Sequence, residues 1–221
     1  VYNEEAIIGA SITRLLERAA FNNEIIIVDG NSTDNTLKLA AGLKARVWAS
    51  PKKGRAFQMH YGAKQATGDV FFFLHADSTP PQSFDSDIFQ AISNGKDAGS
   101  FRMRFDDNAL FFRFFSFFVR FNFSVCRGGD QGLFISRKCY EALGGFNVNF
   151  PIMEDVDFIK RIRRVASFCI LKREVITSAR KYHSVGKWKL QFIFAWVHFL
   201  YAFGVAPQKI YDKYHKVILK T

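Results

Sequence analysis

The chain has 221 residues, 48% of them hydrophobic, which is enough to bury a full core as one domain. Its three cysteines, Cys126, Cys139 and Cys169, show no metal-ligand spacing and leave one unpaired in any disulfide scheme, which excludes a cysteine-bound zinc and a disulfide scaffold and suits a reducing compartment. The net charge of +11 belongs to the second half, since residues 1–100 carry 10 Lys/Arg against 11 Asp/Glu whereas residues 101–221 carry 21 against 9.

The chain opens at Val1 without an initiator methionine, so part of a first strand is expected outside it, and no signal-peptide pattern is present. Ala6 to Ala20 is expected as a helix with an apolar face of Ile8, Ile12, Leu15, Leu16 and Ala19. Glu24 to Val28 reads as a strand ending at Asp29, and the turn formers that follow place Thr33 or Asp34 as the cap of a helix through Leu37, Leu39 and Ala40. Ala45 to Ala49 is the next strand. This alternation predicts an α/β fold with a mostly parallel central sheet covered by helices on both faces. Lys52-Lys53-Gly54-Arg55 brings positive charge near a strand end, fit either to meet a diphosphate or to face solvent, and Ala56 to Ala66 is helical.

Val70 to Leu74 is a run of five apolar residues, read as a covered strand that stops at His75 and Asp77. Ligands of open α/β sheets lie beyond the carboxyl ends of strands, which puts Asp77 where a metal or phosphate is handled. The alternative is that Asp77, ahead of Ser78, Thr79, Pro80 and Pro81, caps a turn. Ser83 to Ser93 follows as a helix and Gly99 to Phe105 as a strand.

Ten phenylalanines fall between Phe101 and Phe123. Threaded on a helix from Ala109 to Ser124, Arg113, Ser116 and Arg120 share one side and leave a broad aromatic surface elsewhere. The segment is too short and too charged for an obvious span, leaving a core helix and a helix in the membrane interface as the two readings. With no zinc finger or other nucleic-acid module in the basic half, no nucleic acid is expected as a partner; an anionic membrane surface accounts for its charge and aromatics together.

Gly128 to Gly132 reads as a tight loop, Leu133 to Ser136 as a strand, and Arg137 to Leu143 as a helix stopped by Gly144-Gly145. Glu154, Asp155 and Asp157 open a basic helix through Arg164, where acids suit the positive end of the helix dipole. Phe168 to Leu171 and Val175 to Ser178 are expected as two short sheet elements. Leu190 to Ala206 is a largely apolar helix, suited to an interface, a dimer contact or a core, that Pro207 ends; residues 208–221 form a polar, basic tail.

Taken together, Tyr2-Asn3-Glu4-Glu5, Val28 to Thr36, Gly54-Arg55, Gly68-Asp69 with Leu74-His75-Ala76-Asp77, Gly129-Asp130-Gln131-Gly132 and Met153-Glu154-Asp155 resemble the family 2 glycosyltransferases of GT-A fold. The match is narrower with a bacterial subgroup that writes its metal motif with histidine first and carries the Thr177-Ser-Ala-Arg180 stretch. The resemblance implies a GT-A catalytic domain over residues 1–186, with a donor half of about 1–100 and an acceptor half of about 101–186, then a hydrophobic and basic helical extension over 187–221. It further implies that Asn3, Glu5 and Asp29 flank the donor nucleoside, that Arg55 approaches its diphosphate or ribose, and that Asp77 binds a divalent Mn or Mg ion. Asp155 is the implied general base, and Asp130 with Gln131 lines the acceptor and sugar side.

His75 replaces the usual first acid of the metal motif, which favours Mn if it ligates, and His183 is a candidate for the missing coordination. The expected reaction moves a sugar with inversion from a UDP- or GDP-sugar to a hydrophobic or lipid-linked acceptor. The expected location is cytoplasmic, peripheral at the inner face of the cell membrane, with a homo-oligomer possible. Nucleotidyl transfer to a sugar phosphate and a non-catalytic binding protein are the competing readings.

Overall fold

A computed structural model of the chain describes residues 1–118, 120 and 129–218. In chain order α1 (Ile8–Arg18), β1 (Ile26–Asp29), α2 (Thr36–Ala41), β2 (Arg46–Ala49), α3 (Arg55–Gln65) and β3 (Val70–Phe73) alternate as expected. They are followed by β4 (Ser78–Thr79), α4 (Phe84–Ser93), β5 (Ala98–Phe105), α5 (Leu110–Phe118), a single 3-10 turn at Gly129–Gln131, β6 (Leu133–Ser136) and α6 (Arg137–Ala142). The chain continues with α7 (Glu154–Val165), β7 (Phe168–Thr177), α8 (Arg180–Val185), α9 (Lys187–Ala202) and α10 (Pro207–Ile218). The helix expected over 109–124 is described as far as Phe118; Phe121, Phe123, Cys126 and Gly128 lie outside the described residues.

The mostly parallel sheet is corrected to a mixed one. β1 and β2 pair in parallel as a two-stranded sheet, and the main sheet runs β3-β6-β5-β7-β4. There β5 and β7 are parallel, while β6 runs against both β3 and β5, and β4 runs against β7. Two reversed strands thus account for every antiparallel pair, and an apolar run carries no mark of its direction. β4 occupies Ser78 and Thr79, in the stretch read as a turn.

The two short elements expected near 168 and 178 are one ten-residue strand, β7, whose register shifts where Phe101 faces Leu171 and Arg102 faces Glu174. Lys172 and Arg173 form the extra exposed length that hid the continuity.

The apolar run of β3 is covered on both sides. Phe71 and Phe73 meet Tyr140 and Phe146 on one face at ring distances of 5.1 and 4.9 Å, and Phe72 meets Phe84 on the other at 5.2 Å. α7 seals the first face with Phe158 and Ile162, both fully buried, and α4 seals the second with Phe84 and Ile88. α3 connects the two sheets, packing on β1 and sending Ala56 and Ala63 into the α7 side of the core. At Gly132, φ of +66° and Phe72 ring atoms 2.8 Å from any added Cβ leave room only for glycine, fixing the turn that presents Asp130.

The C-terminal expectation also changes. α9 begins at Lys187 and ends at Ala202, and Pro207 starts a further helix where a polar tail was expected. Proline is well tolerated at a first helical position because that amide has no intrahelical partner. Ile210, Tyr214 and Ile218 then recur every four residues and pack in one cluster with Met153 and Val156 of the α7 end and with Ile193 and Val197 of α9.

Candidate functional site

Asp29 ends β1 as a buried carboxylate, 2% exposed, whose two oxygens accept from the Ser32 amide at 2.9 Å and the Ser32 hydroxyl at 2.5 Å. The Asn3 side-chain oxygen accepts from the Thr33 amide at 2.8 Å, and the Asn3 amide donates to the Ser32 hydroxyl at 2.9 Å. One Glu5 oxygen accepts from both the amide and the side chain of Asn35, each at 2.9 Å. Asp34 serves the first turn of α2 as anticipated, accepting from the Thr36 amide at 3.0 Å. Asn3, Glu5 and Asp29 therefore brace the amino-terminal loop against the β1–α2 loop, and none of the three is among the side chains lining the main cleft.

That cleft is lined by Glu4, Arg55, His75, Asp77, Asp130, Asp155 and Arg180. His75 Nδ1 lies 3.0 Å from an Asp130 oxygen. Burial alone pushes the His75 imidazole down, but the hydrogen bond and charge of Asp130 outweigh it and hold the ring above its ordinary value. Asp130 answers in kind: desolvation pushes it up, yet the His75 hydrogen bond and charge, with Arg55 and Lys181 behind, bring it down to about 2. Asp77 moves the other way, pushed up by burial and by the charges of Asp130 and Glu4 against the opposing pull of His75 and Arg180. An Arg180 nitrogen lies 3.6 Å from Asp77 while the same guanidinium is held by both Glu4 oxygens, at 2.6 and 2.8 Å.

Asp155 sits in the first turn of α7 with one oxygen accepting from the Val156 amide at 2.8 Å. Its neighbour Glu154, read from sequence as a helix-cap group, is only 1% exposed and binds Arg55 Nε through one oxygen, while the other oxygen is buried without a hydrogen-bond partner. Arg55, the first residue of α3, thus stands in the combined field of Glu154, Asp155 and Asp130. Gln131 is buried, with its side-chain oxygen 3.5 Å from the Ser100 hydroxyl of β5.

His183 does not join the acids of the cleft in a ligand set. Its Nε2 lies 3.1 Å from Asp107, and its ring packs edgewise on Phe112 at 5.9 Å. Among the described residues no three His, Cys, Asp or Glu side chains form a metal-binding cluster. A hard divalent ion that takes phosphate oxygens and water needs only one or two carboxylates, and the chemistry of Asp77 fits that limited role: a partly buried carboxylate, raised chiefly by its own desolvation, that a cation would stabilise. His75 is engaged at Nδ1 by Asp130, which orients the ring and leaves Nε2 as its remaining ligating atom.

Four side chains have partners that the sequence reading did not name. Glu4 and Arg180 meet across 176 residues, Glu154 anchors Arg55 across 99, and His198 of α9 lines the cleft within the field of Asp155. Only Glu154 had a usable signal, since a carboxylate beside a candidate base is a ready partner for a cation from another element.

A family model described as "Glycosyl transferase family 2" matches residues 1–177. The chain is similar to the PGL/p-HBAD biosynthesis glycosyltransferase of Mycobacterium bovis, 23% identical over 208 residues, covering 83% of this chain and 74% of that protein. Its fold is similar to that of the mannosyltransferase PcManGT from Pyrobaculum calidifontis in complex with GDP-Man and Mn2+, with a TM-score of 0.68 at 17% identity over 90% of this chain. It is likewise similar to S. aureus TarS 1-349 in complex with UDP, with a TM-score of 0.64 at 17% identity over 80% of this chain. This chain spans 60% and 58% of those two solved chains.

Proposed function

The chain belongs to glycosyl transferase family 2 and has the single-domain α/β fold called GT-A, and from that premise we propose that it moves a sugar from a nucleoside diphosphate donor to a hydrophobic or lipid-linked acceptor at the periphery of a membrane. One observation carries the reading: Arg55, Asp77, Asp130, Asp155 and Arg180, drawn from both halves of the chain, line one cleft. A donor half of about 1–100 and an acceptor half of about 101–186 meet there. The His-Ala-Asp sequence at 75–77 marks the subgroup.

In this mechanism the loop braced by Asn3, Glu5 and Asp29 receives the nucleoside, and Arg55 and Arg180 face the diphosphate with their positive charge. Asp77 would hold a Mn or Mg ion, whose positive charge would offset the charge of the diphosphate. Asp155 takes the proton of the attacking hydroxyl on the far side of the sugar, so the anomeric centre inverts. Arg55, fixed by Glu154, stands beside Asp155 with its positive charge. Asp130 and Gln131 line the sugar and acceptor side. The complexes of structural neighbours with GDP-Man and with UDP-GlcNAc support UDP- and GDP-sugars as the first donors to try.

The test is a thermal-shift titration with UDP, GDP, CMP and their common sugar conjugates, each with and without Mn or Mg. A metal-dependent rise with one base, reduced in Asp77→Ala, is the expected result. Absence of any rise across the set overturns the nucleotide-sugar reading; a rise that ignores metal and survives Asp77→Ala removes the metal from it.

A further inference from the structure

α9 is apolar on two opposite faces. Leu190, Ile193 and Val197 are buried in the clusters that join it to α5, α7, α8 and α10. Trp188, Phe192 and Phe199 of the helix, with Phe203 at its C-cap, are 64%, 69%, 57% and 73% exposed. Their spacings of four, seven and four place them in one stripe along the outer side, roughly opposite the buried residues. α5 extends the stripe sideways: Phe111 packs against Trp188 at a ring distance of 5.0 Å, and Leu110 and Phe114 are 79% and 59% exposed. An outward apolar surface of this extent on a charged protein marks a docking face.

Charge and length decide what docks. Between Glu174 and Asp212 the chain contains no acid but carries Arg180, Lys181, Lys187, Lys189 and Lys209, of which Arg180 is turned to Glu4 in the cleft and Lys187 lies 3.5 Å from Asp107, and residues 108–129 contain Arg113, Arg120 and Arg127 without an acid. Arg113 is exposed beside Leu110 and Phe114. A second copy laid on the same face would bring like charge against like, whereas an anionic lipid surface complements it. The 16 residues of α9 span about 24 Å at about 1.5 Å per residue, less than the roughly 30 Å of a bilayer core. No helix of the described residues is long and apolar enough to cross a membrane. A short helix of this kind lies in the interface plane, its aromatics at headgroup depth.

We propose that the α9 stripe, with the exposed end of α5, seats the protein in the surface of an anionic bilayer. His198 of the same helix lines the cleft. Docking therefore brings the cleft close to the headgroups, where a lipid-linked acceptor presents its hydroxyl while its tail stays in the bilayer. This orientation rests on the lipid-linked acceptor proposed above; the docking itself does not.

The full chain is floated with phosphatidylcholine vesicles with and without phosphatidylglycerol, at low and high salt, alongside Phe192→Ser/Phe203→Ser and Phe192→Leu/Phe203→Leu. The expected result is binding to the anionic vesicles, weakened by salt, reduced about tenfold or more in the Ser pair and retained in the Leu pair. A cooperative melting transition retained in the Ser pair shows that the loss is not unfolding. Equal flotation of the native chain and the Ser pair overturns the proposal, as does absence of flotation in the native chain. A native dimer that the Ser pair dissociates also overturns it, in favour of a second copy. Salt-sensitive, stripe-dependent flotation without any nucleotide shift upholds the docking and defeats the transfer reading.

Discussion

Glu154 shows most directly how one side chain serves both stability and chemistry. With 1% exposure and one oxygen unpartnered, it tolerates burial because the other oxygen holds Arg55. Glu154→Ala is expected to lower stability by about 1–3 kcal/mol in urea titration, less than a fully buried pair costs because the Arg55 side chain is half exposed. It is also expected to lower kcat more than it raises the donor KM, because Arg55 loses its fixed place beside Asp155. Glu154→Gln, which keeps an acceptor for Arg55, is expected to recover most of the stability and less of the rate. The His75–Asp130 pair gives a pH signature. A histidine raised above its ordinary 6.5 stabilises the fold fully below that value and loses the contribution as pH rises through the raised one. The melting-temperature gap between the native chain and His75→Gln is therefore expected to be widest below the ordinary histidine value of 6.5 and to narrow as pH rises above it, while a gap constant on both sides of that value removes the charge from the explanation.

At the scale of elements, α7 and α10 carry the sharpest expectations. Phe158 is fully buried on the covered face of β3, with Phe146 at 4.5 Å and Tyr140 at 5.5 Å. Phe158→Ala is expected to cost about 3–5 kcal/mol in chemical denaturation, since neighbouring rings from three other elements and loops cannot collapse onto the void. Ile210 separates the two accounts of the last residues. Fully buried in the cluster that joins α9, α10 and the start of α7, it is expected to cost about 2–4 kcal/mol when changed to alanine. A cost near zero returns residues 207–218 to the status of a solvated tail. The periodicity of α10 was present in the sequence, but Pro207 reads equally as the stop of one helix and the first residue of the next, and only the packing of Ile210 chooses between them.

For the whole molecule, what the sequence discloses is set by distance along the chain. The place of Asp77 in the cleft is legible because it stands just past an apolar strand, where local pattern marks the boundary, whereas Asp155 is singled out among the acids of its helix start only by the family resemblance. The bracing of Asn3 by Thr33 closes a loop of only 30 residues. Strand direction is not encoded in an apolar run, which is why a mixed sheet looked parallel. The cleft's other ties are invisible locally because they join Arg55 to Glu154 and Glu4 to Arg180. The same separations set an order of assembly. The loop braced by Asn3, Glu5 and Asp29 has these partners within some thirty residues, whereas Glu4 must wait 176 residues for Arg180, roughly ten to thirty seconds at ordinary synthesis rates. A newborn chain therefore holds that loop ready long before Glu4 and Arg180 can meet, and their contact closes late.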